Sequence, residues 1–176
     1  MAIGFAGYAA TNSAFGSDFI YRKVEITHIL SGDSFIATID RSTSLKVVIH
    51  GIKAPAVSEP YSKESVKRLE LILSMFSPTL ACHDKDRHKR SVCRVYAGNV
   101  DVGLEQVRNG SARWNKNSNQ DLEEKEAYRH SQQLAQQSRL GLWSNPASFR
   151  QGTGQRQIIK KTGIAESNDS ASDSFI

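Results

Sequence analysis

Three short β-forming segments joined by tight turns precede the first helical pattern, and this order constrains the fold most. Residues 21–30 are rich in β-formers, residues 34–40 alternate apolar and polar side chains, and residues 45–52 form a third such run. Ser31-Gly32-Asp33 has the composition of a tight turn between the first two segments. Strands joined by short turns pair antiparallel, so we expect a meander that begins an antiparallel barrel.

Helical patterns follow later in the chain. Residues 62–76 carry apolar side chains at helical spacing, Ser62 is the expected N-cap, and Pro78 ends the pattern. Two further helices are expected over residues 102–109, with Gly110 in the left-handed position after it, and over residues 121–139.

The remaining β pattern is a hairpin, formed by residues 80–83 and 91–96 around a basic loop. Five strands with a helix between the third and the fourth predict an α+β, mainly β fold, a five-stranded OB-type barrel with three helices. Such barrels often bind oligonucleotides, but the order of elements does not give function.

Composition divides the chain into three parts. We expect an N-terminal arm over residues 1–20, one folded domain over residues 21–150, and a disordered polar tail over residues 151–176. The start of the chain lacks the basic residues of a secretory or transit signal, and no apolar run approaches ~18 residues. A soluble protein in a reducing compartment, with no membrane span, is therefore the expectation.

The formal charge of +5 and the pI near 9.3 indicate a nucleic-acid partner, although a basic surface can also serve solubility alone. The excess is local, because residues 82–94 carry five cations and two carboxylates. The candidate nucleic-acid-binding residues are Lys46, Lys53, Arg87, Lys89, Arg90, Arg94, Arg113 and Lys116. Trp114 and Tyr96 are candidate stacking residues, and Trp114 fits the edge of the core better.

Cys82 and Cys93 flank the basic segment. They could meet across the hairpin as a disulfide, but nothing marks the chain as secreted, so we expect both to be reduced and buried.

Five blocks in order resemble the staphylococcal nuclease (thermonuclease) family over about residues 24–150. The blocks are Ser31-Gly32-Asp33-Ser34, Gly51-Ile52-Lys53-Ala54-Pro55, Asp86-Arg87-His88-Lys89-Arg90, Val107-Arg108-Asn109-Gly110-Ser111-Ala112 and Arg139-Leu140-Gly141-Leu142-Trp143. The resemblance implies calcium-dependent phosphodiester cleavage, in which two Asp hold the ion, a Glu acts as base and two Arg stabilise the transition state.

This chain departs from that pattern at most catalytic positions. Asp33 matches the first calcium-binding Asp, and Arg90 matches the second Arg, the only catalytic counterpart that survives. The positions of the second Asp, its neighbour, the base and the first Arg hold Lys53, Ala54, Ala56 and Val48, and two pocket tyrosines are replaced by Lys116 and Ser118. A lysine ~4–5 Å from Ca²⁺ repels it by several kcal/mol at an effective dielectric constant near 20.

The sequence therefore predicts a nuclease-like domain that binds single-stranded DNA or RNA, or acts as a scaffold, and that has lost catalysis and its metal site. One alternative is an interaction subunit that binds a protein partner through the arm and the tail. Another is a divergent calcium-dependent phosphodiesterase in which Glu59 replaces the missing base and Lys46 or His50 supplies positive charge. No cofactor is expected unless the last alternative holds, and Asp33 also has an ordinary role as a turn-capping carboxylate.

Overall fold

The computed structural model describes residues 21–39 and 42–144. The predicted arm 1–20, the tail 151–176 and the last residues of the predicted domain lie outside the described residues. The elements are β1 (Tyr21–Lys23), β2 (Glu25–Ser31), β3 (Ser34–Ile39), β4 (Thr43–Ile49), β5 (Ile52–Lys53), α1 (Ser62–Met75), β6 (Pro78–Lys85), β7 (Ser91–Ala97), β8 (Val100–Asp101), α2 (Val102–Arg108), β9 (Arg113–Trp114), α3 (Leu122–Gln137) and a 3₁₀ turn (Gly141–Ser144).

The main sheet has the order β1-β6-β7-β4-β3-β2, with β8 beside β7. All its pairs are antiparallel except β4 with β7, which are parallel. The two strands at the ends of this order, β1 and β2, are separated in the chain only by Val24, so the sheet closes on itself. This is the predicted α+β, mainly β, OB-like architecture with three helices.

The observed strands are more numerous than the five predicted. The first predicted strand is divided at Val24, whose amide donates to the carbonyl of Pro78 at 3.2 Å. The third is divided at Gly51, whose φ of 80° turns the chain after β4. The short strands β5 and β9 then pair in a separate two-stranded sheet.

The core lies inside the barrel. Alternate residues of β3, β4 and β7 are fully buried there, and the apolar face of α1 covers them with Leu69, Ile72 and Leu73. The predicted cap of this helix is wrong: Tyr61, with φ 72°, is the N-cap residue, and the Ser62 hydroxyl donates to the carbonyl of Val57 instead.

The ends of α2 and α3 follow from their sequences. Asp101 caps α2, Gly110 takes the predicted left-handed conformation after it, and Asp121 forms a capping box with Glu124 at the start of α3. No helix among residues 21–39 and 42–144 is long and apolar enough to cross a membrane.

The expectation of reduced cysteines is wrong. Cys82 and Cys93 are directly opposed partners in the β6–β7 ladder, and a disulfide joins them. The physical reason is the register, which places the two side chains side by side on the same face of the hairpin. The preference for a reducing compartment stays a prediction, and the cysteines no longer support it.

Candidate nucleic-acid interface

Asp33 lies in the β2–β3 turn, and its carboxylate joins two parts of the barrel. Oδ2 accepts a hydrogen bond from the amide of Ala54 at 2.8 Å, and Oδ1 accepts one from the hydroxyl of Ser31 at 2.5 Å. The turn passes close to α1 at Gly32, where a Cβ would come 1.7 Å from Oγ of Ser65, so only glycine fits at this position. Both carboxylate oxygens therefore already have structural partners within the fold.

The positions near Asp33 supply little that a calcium ion could bind. Val48 pairs with Ser34 on one side and with Val92 on the other, and Lys53 extends from β5 into solvent. Ala54 is buried and Ala56 is exposed. Calcium takes six to eight oxygen ligands, mainly from carboxylates and carbonyls, so this set of residues does not fit the ion.

Glu59 remains bound to its own loop. Its Oε2 accepts from the amide of Ala56 at 2.8 Å, and its amide donates to the carbonyl of Ala56, also at 2.8 Å. These two hydrogen bonds close a local turn around the carboxylate. Among residues 21–39 and 42–144, no three His, Cys, Asp or Glu side chains are grouped so as to hold a metal.

Arg90 lies at the end of the β6–β7 turn and is fixed by Asp86. Oδ2 of Asp86 accepts from Nε of Arg90 at 2.8 Å and lies 2.7 Å from Nη2. Oδ1 accepts from the amides of His88 and Arg90, both at 2.9 Å. The turn is thereby held in one conformation, with Arg87 and Lys89 exposed on it.

A cavity of about 300 Å³ opens beside this turn. It lies between the end of β4, the β6–β7 hairpin and the segment before α3. Its lining comprises Val48, Ile49, His50, Gly51, Ile52, His83, Asp84, Asp86, Val92, Asn115, Ser118 and Asn119. The segment that precedes α3 is attached to the barrel by the amide of Asn115, which donates to the carbonyl of Gly51 at 2.9 Å.

Two histidines form one wall of the cavity. The register of β6 with β7 shifts between Cys82 and Asp84, and this bulge carries His83. The His83 ring meets that of His50 edge-on, with centroids 4.6 Å apart. Nε2 of His50 is buried and has no hydrogen-bond partner among the described residues.

His50 is neutral near pH 7. Burial, together with the nearby His83 and Arg94, lowers its pKa from 6.5 to about 4. The expectation that His50 could supply positive charge is therefore wrong, because a buried imidazole beside an arginine loses its proton first. Burial and Arg94 also lower the pKa of His83.

Arg94 is held in an ion pair rather than presented to solvent. Nη2 donates to Oε2 of Glu124 at 2.7 Å and Nε donates to Oε1 at 2.5 Å, with the Arg94 side chain 17% exposed. Burial raises the pKa of Glu124, but the Arg94 guanidinium outweighs this and holds the pKa below its usual range. Arg94 therefore links β7 to α3.

The other predicted nucleic-acid residues separate into two groups: two lysines near the turn and the cavity, and two residues on the β5–β9 pair. Lys46 precedes the Val47–Ser91 pair on β4 as Arg90 does on β7, so the two are neighbours near the turn. Lys53 and Arg113 are instead opposite each other in the β5–β9 pair, and the Arg113 guanidinium lies 5.8 Å from the Trp143 ring centroid. Lys116 is exposed beside the cavity-lining Asn115.

Trp114, a candidate stacking residue, is half-buried on β9. It packs against the core, and its indole N–H donates to Oε1 of Gln120 at 2.8 Å. Tyr96 is half-buried on β7. Sequence reasoning missed His83 and Glu124, because no local pattern shows that a bulge and a helix cap bring them to His50 and Arg94.

Comparison with known proteins agrees with this architecture. The family model described as "Staphylococcal nuclease homologue" matches residues 46–145. A Haemophilus influenzae protein named "Uncharacterized endonuclease" is 30% identical over 135 residues, covering 76% of this chain and 74% of the relative.

Two eukaryotic relatives match over a shorter share of their length. The Oryza sativa "Probable staphylococcal-like nuclease CAN4" is 28% identical over 99 residues, which are 56% of this chain and 19% of the relative. The Clavispora lusitaniae "Probable endonuclease LCL3" is 30% identical over 116 residues, 59% of this chain and 50% of the relative. The chain thus spans about a fifth and half of these two proteins.

Proposed function

This chain belongs to the staphylococcal nuclease homologue family, and from that premise we propose that it binds single-stranded nucleic acid without cleaving it. The observation that carries the proposal is the contrast between two neighbouring regions. The positions that would hold the ion and the base are occupied by Lys53 and Ala56, whereas the cavity and its cationic turn are well formed.

The absence of catalysis follows from the chemistry of the positions around Asp33. Removing a general base costs roughly 10²–10⁴ in rate, and removing one charged transition-state donor costs a comparable factor. Ala56 and Val48 remove both groups, and the ammonium of Lys53 repels a divalent cation. Asp33 and Glu59 each have hydrogen-bond partners of their own.

Binding is supported by the surface around the cavity. Lys46, Arg87, Lys89 and Lys116 are exposed near its edge, where they can pair with successive phosphates of one strand. A single strand offers unpaired bases, which can leave the stack and enter a cavity of about 300 Å³ at a lower free-energy cost than a base of a duplex. Inside, the neutral imidazole of His50 offers a hydrogen bond without adding charge.

The test measures binding and cleavage on the same protein. We expect fluorescence anisotropy to show binding of labelled single-stranded DNA or RNA, and electrophoresis to show no cleavage with calcium present. The double variant Arg87→Gln/Lys89→Gln should weaken binding about tenfold or more, whereas Lys63→Gln/Lys67→Gln on the exposed side of α1 should not. Equal binding by both double variants, or no binding at all, would contradict the proposal and favour a protein scaffold.

A second candidate, a divergent phosphodiesterase, is favoured by the relatives whose printed names are endonucleases. It requires calcium-dependent cleavage of denatured DNA that is lost in Asp33→Ala and in Arg90→Ala. That result would replace the binding proposal with an enzymatic one.

A further inference from the structure

An open groove of about 750 Å³ lies away from the cavity, between β2 and the C-terminal end of α1. It begins at Val24, where the last hydrogen bond to Pro78 ties the chain to the start of β6. Beyond this point β2 pairs only with β3 among the described residues, so its other edge borders the groove. An unpaired strand edge offers backbone groups that can pair with an added strand.

The groove combines an apolar surface with negative charge. Met75 and Phe76 line it although they are 54% and 55% exposed. Glu25 and Glu70 also line it; within residues 21–39 and 42–144, His28 is the only other titratable lining residue, and no Lys or Arg contributes. An acidic groove on a chain of net charge +5 disfavours phosphate and favours a basic peptide.

We propose that this groove docks an extended basic peptide along the edge of β2, and that its occupant is residues 156–161 of the same chain. This segment reads Arg156, Gln157, Ile158, Ile159, Lys160 and Lys161. Two adjacent β-branched residues favour an extended strand. Because successive side chains of a strand point to opposite faces, one of the two isoleucines faces the apolar floor whichever face of the strand is turned toward the groove. The flanking cations then lie near Glu25 and Glu70, in the manner of β-strand addition.

Charge selects this segment over residues 1–20 and over residues 162–176. Residues 1–20 carry a single charged side chain, Asp18, and the segment after residue 161 carries only Glu166, Asp169 and Asp173. Neither complements an acidic groove.

Length also permits the contact. The 12 residues from 145 to 156 can span ~40 Å, which matches the ~35 Å diameter of a domain of this size. The inference does not depend on nucleic-acid binding, because the groove shares no residue with the cavity or with the exposed cations near the cavity's edge.

The test is zero-length carbodiimide cross-linking of the full chain, which joins a lysine to a carboxylate only when the two are in contact. An equal mixture of isotopically light and heavy protein is cross-linked, digested and analysed by mass spectrometry. We expect Lys160 or Lys161 joined to Glu70 or Glu25 within one chain. The double variant Ile158→Ser/Ile159→Ser should reduce this product about tenfold, and the matched control Ile164→Ser should leave it unchanged.

Other outcomes overturn the proposal. Cross-links formed only between light and heavy chains would assign the groove to a second copy. An absent product, or a product unaffected by the isoleucine changes, would exclude residues 156–161 as the occupant. The charge exchange Glu70→Lys/Lys160→Glu should restore a cross-link between these two positions, a result that a collapsed or misfolded groove cannot give.

Discussion

The carboxylate of Asp33 is a structural group in this fold. It accepts the amide of the buried Ala54, so Asp33→Ala leaves that amide without its acceptor and should cost about 1–3 kcal/mol of unfolding free energy. Asp84→Ala, at an exposed position, should change it by less than about 0.5 kcal/mol. Urea denaturation measures both. A calcium-dependent rise in Tm that Asp33→Ala abolishes would show instead that Asp33 is a metal ligand.

His50 makes stability depend on pH. Its pKa is lowered from 6.5 to about 4 in the fold, so between these values the unfolded chain binds a proton that the folded chain does not. Stability is therefore complete above pH 6.5 and falls as the pH drops toward 4, by up to about 3 kcal/mol. The groups that face it are His83 on β6, Arg94 on β7 and Glu124 on α3.

Substitution of His50 isolates this contribution. His50→Gln should flatten the difference in urea-unfolding free energy between pH 7 and pH 4.5, because glutamine does not titrate. His130→Gln, at an exposed position on α3, should leave the slope as in the wild type. An unchanged slope in His50→Gln would mean that other groups cause the acid sensitivity.

At the scale of elements, α3 is attached to the barrel through Glu124. This residue closes the capping box of α3 and accepts hydrogen bonds from Nε and Nη2 of Arg94. Glu124→Gln should therefore cost about 2 kcal/mol. Glu126 forms an exposed pair with Arg129, and Glu126→Gln should cost no more than about 0.5 kcal/mol. Thermal denaturation of the two variants distinguishes them, and equal losses would show that the Arg94 pair adds nothing.

The same elements show what sequence can and cannot predict. The helix α1 and the hairpin of β6 and β7 were predictable because their apolar spacing repeats within a few residues. The two-residue strands β5 and β9 carry no such period. The register that opposes Cys82 and Cys93, and the bulge that turns His83 toward His50, depend on packing between segments distant in the chain.

For the candidate site, the sequence shows which residues replace the catalytic ones, but it does not show which side chains contact each other. Lys53, Ala56 and Val48 could be recognised in the sequence because five ordered blocks fix their positions. The pairing of Arg94 with Glu124, which removes one predicted cation from the binding surface, could not. A carboxylate 30 residues away is a partner only once the fold brings it close.

Binding of a nucleic-acid strand can depend on the net charge of the whole protein or on where its cations lie. If Lys46, Arg87, Lys89 and Lys116 contact four phosphates of a single strand, log Kd should change with log salt concentration with a slope of magnitude about 3. Arg87→Gln/Lys89→Gln should reduce this magnitude by about 1.4, since two contacts are lost. Lys63→Gln/Lys67→Gln removes the same net charge from α1 and should leave the slope unchanged. Salt titrations by fluorescence anisotropy measure all three proteins, and equal reductions in both variants would show that only the overall charge attracts the strand.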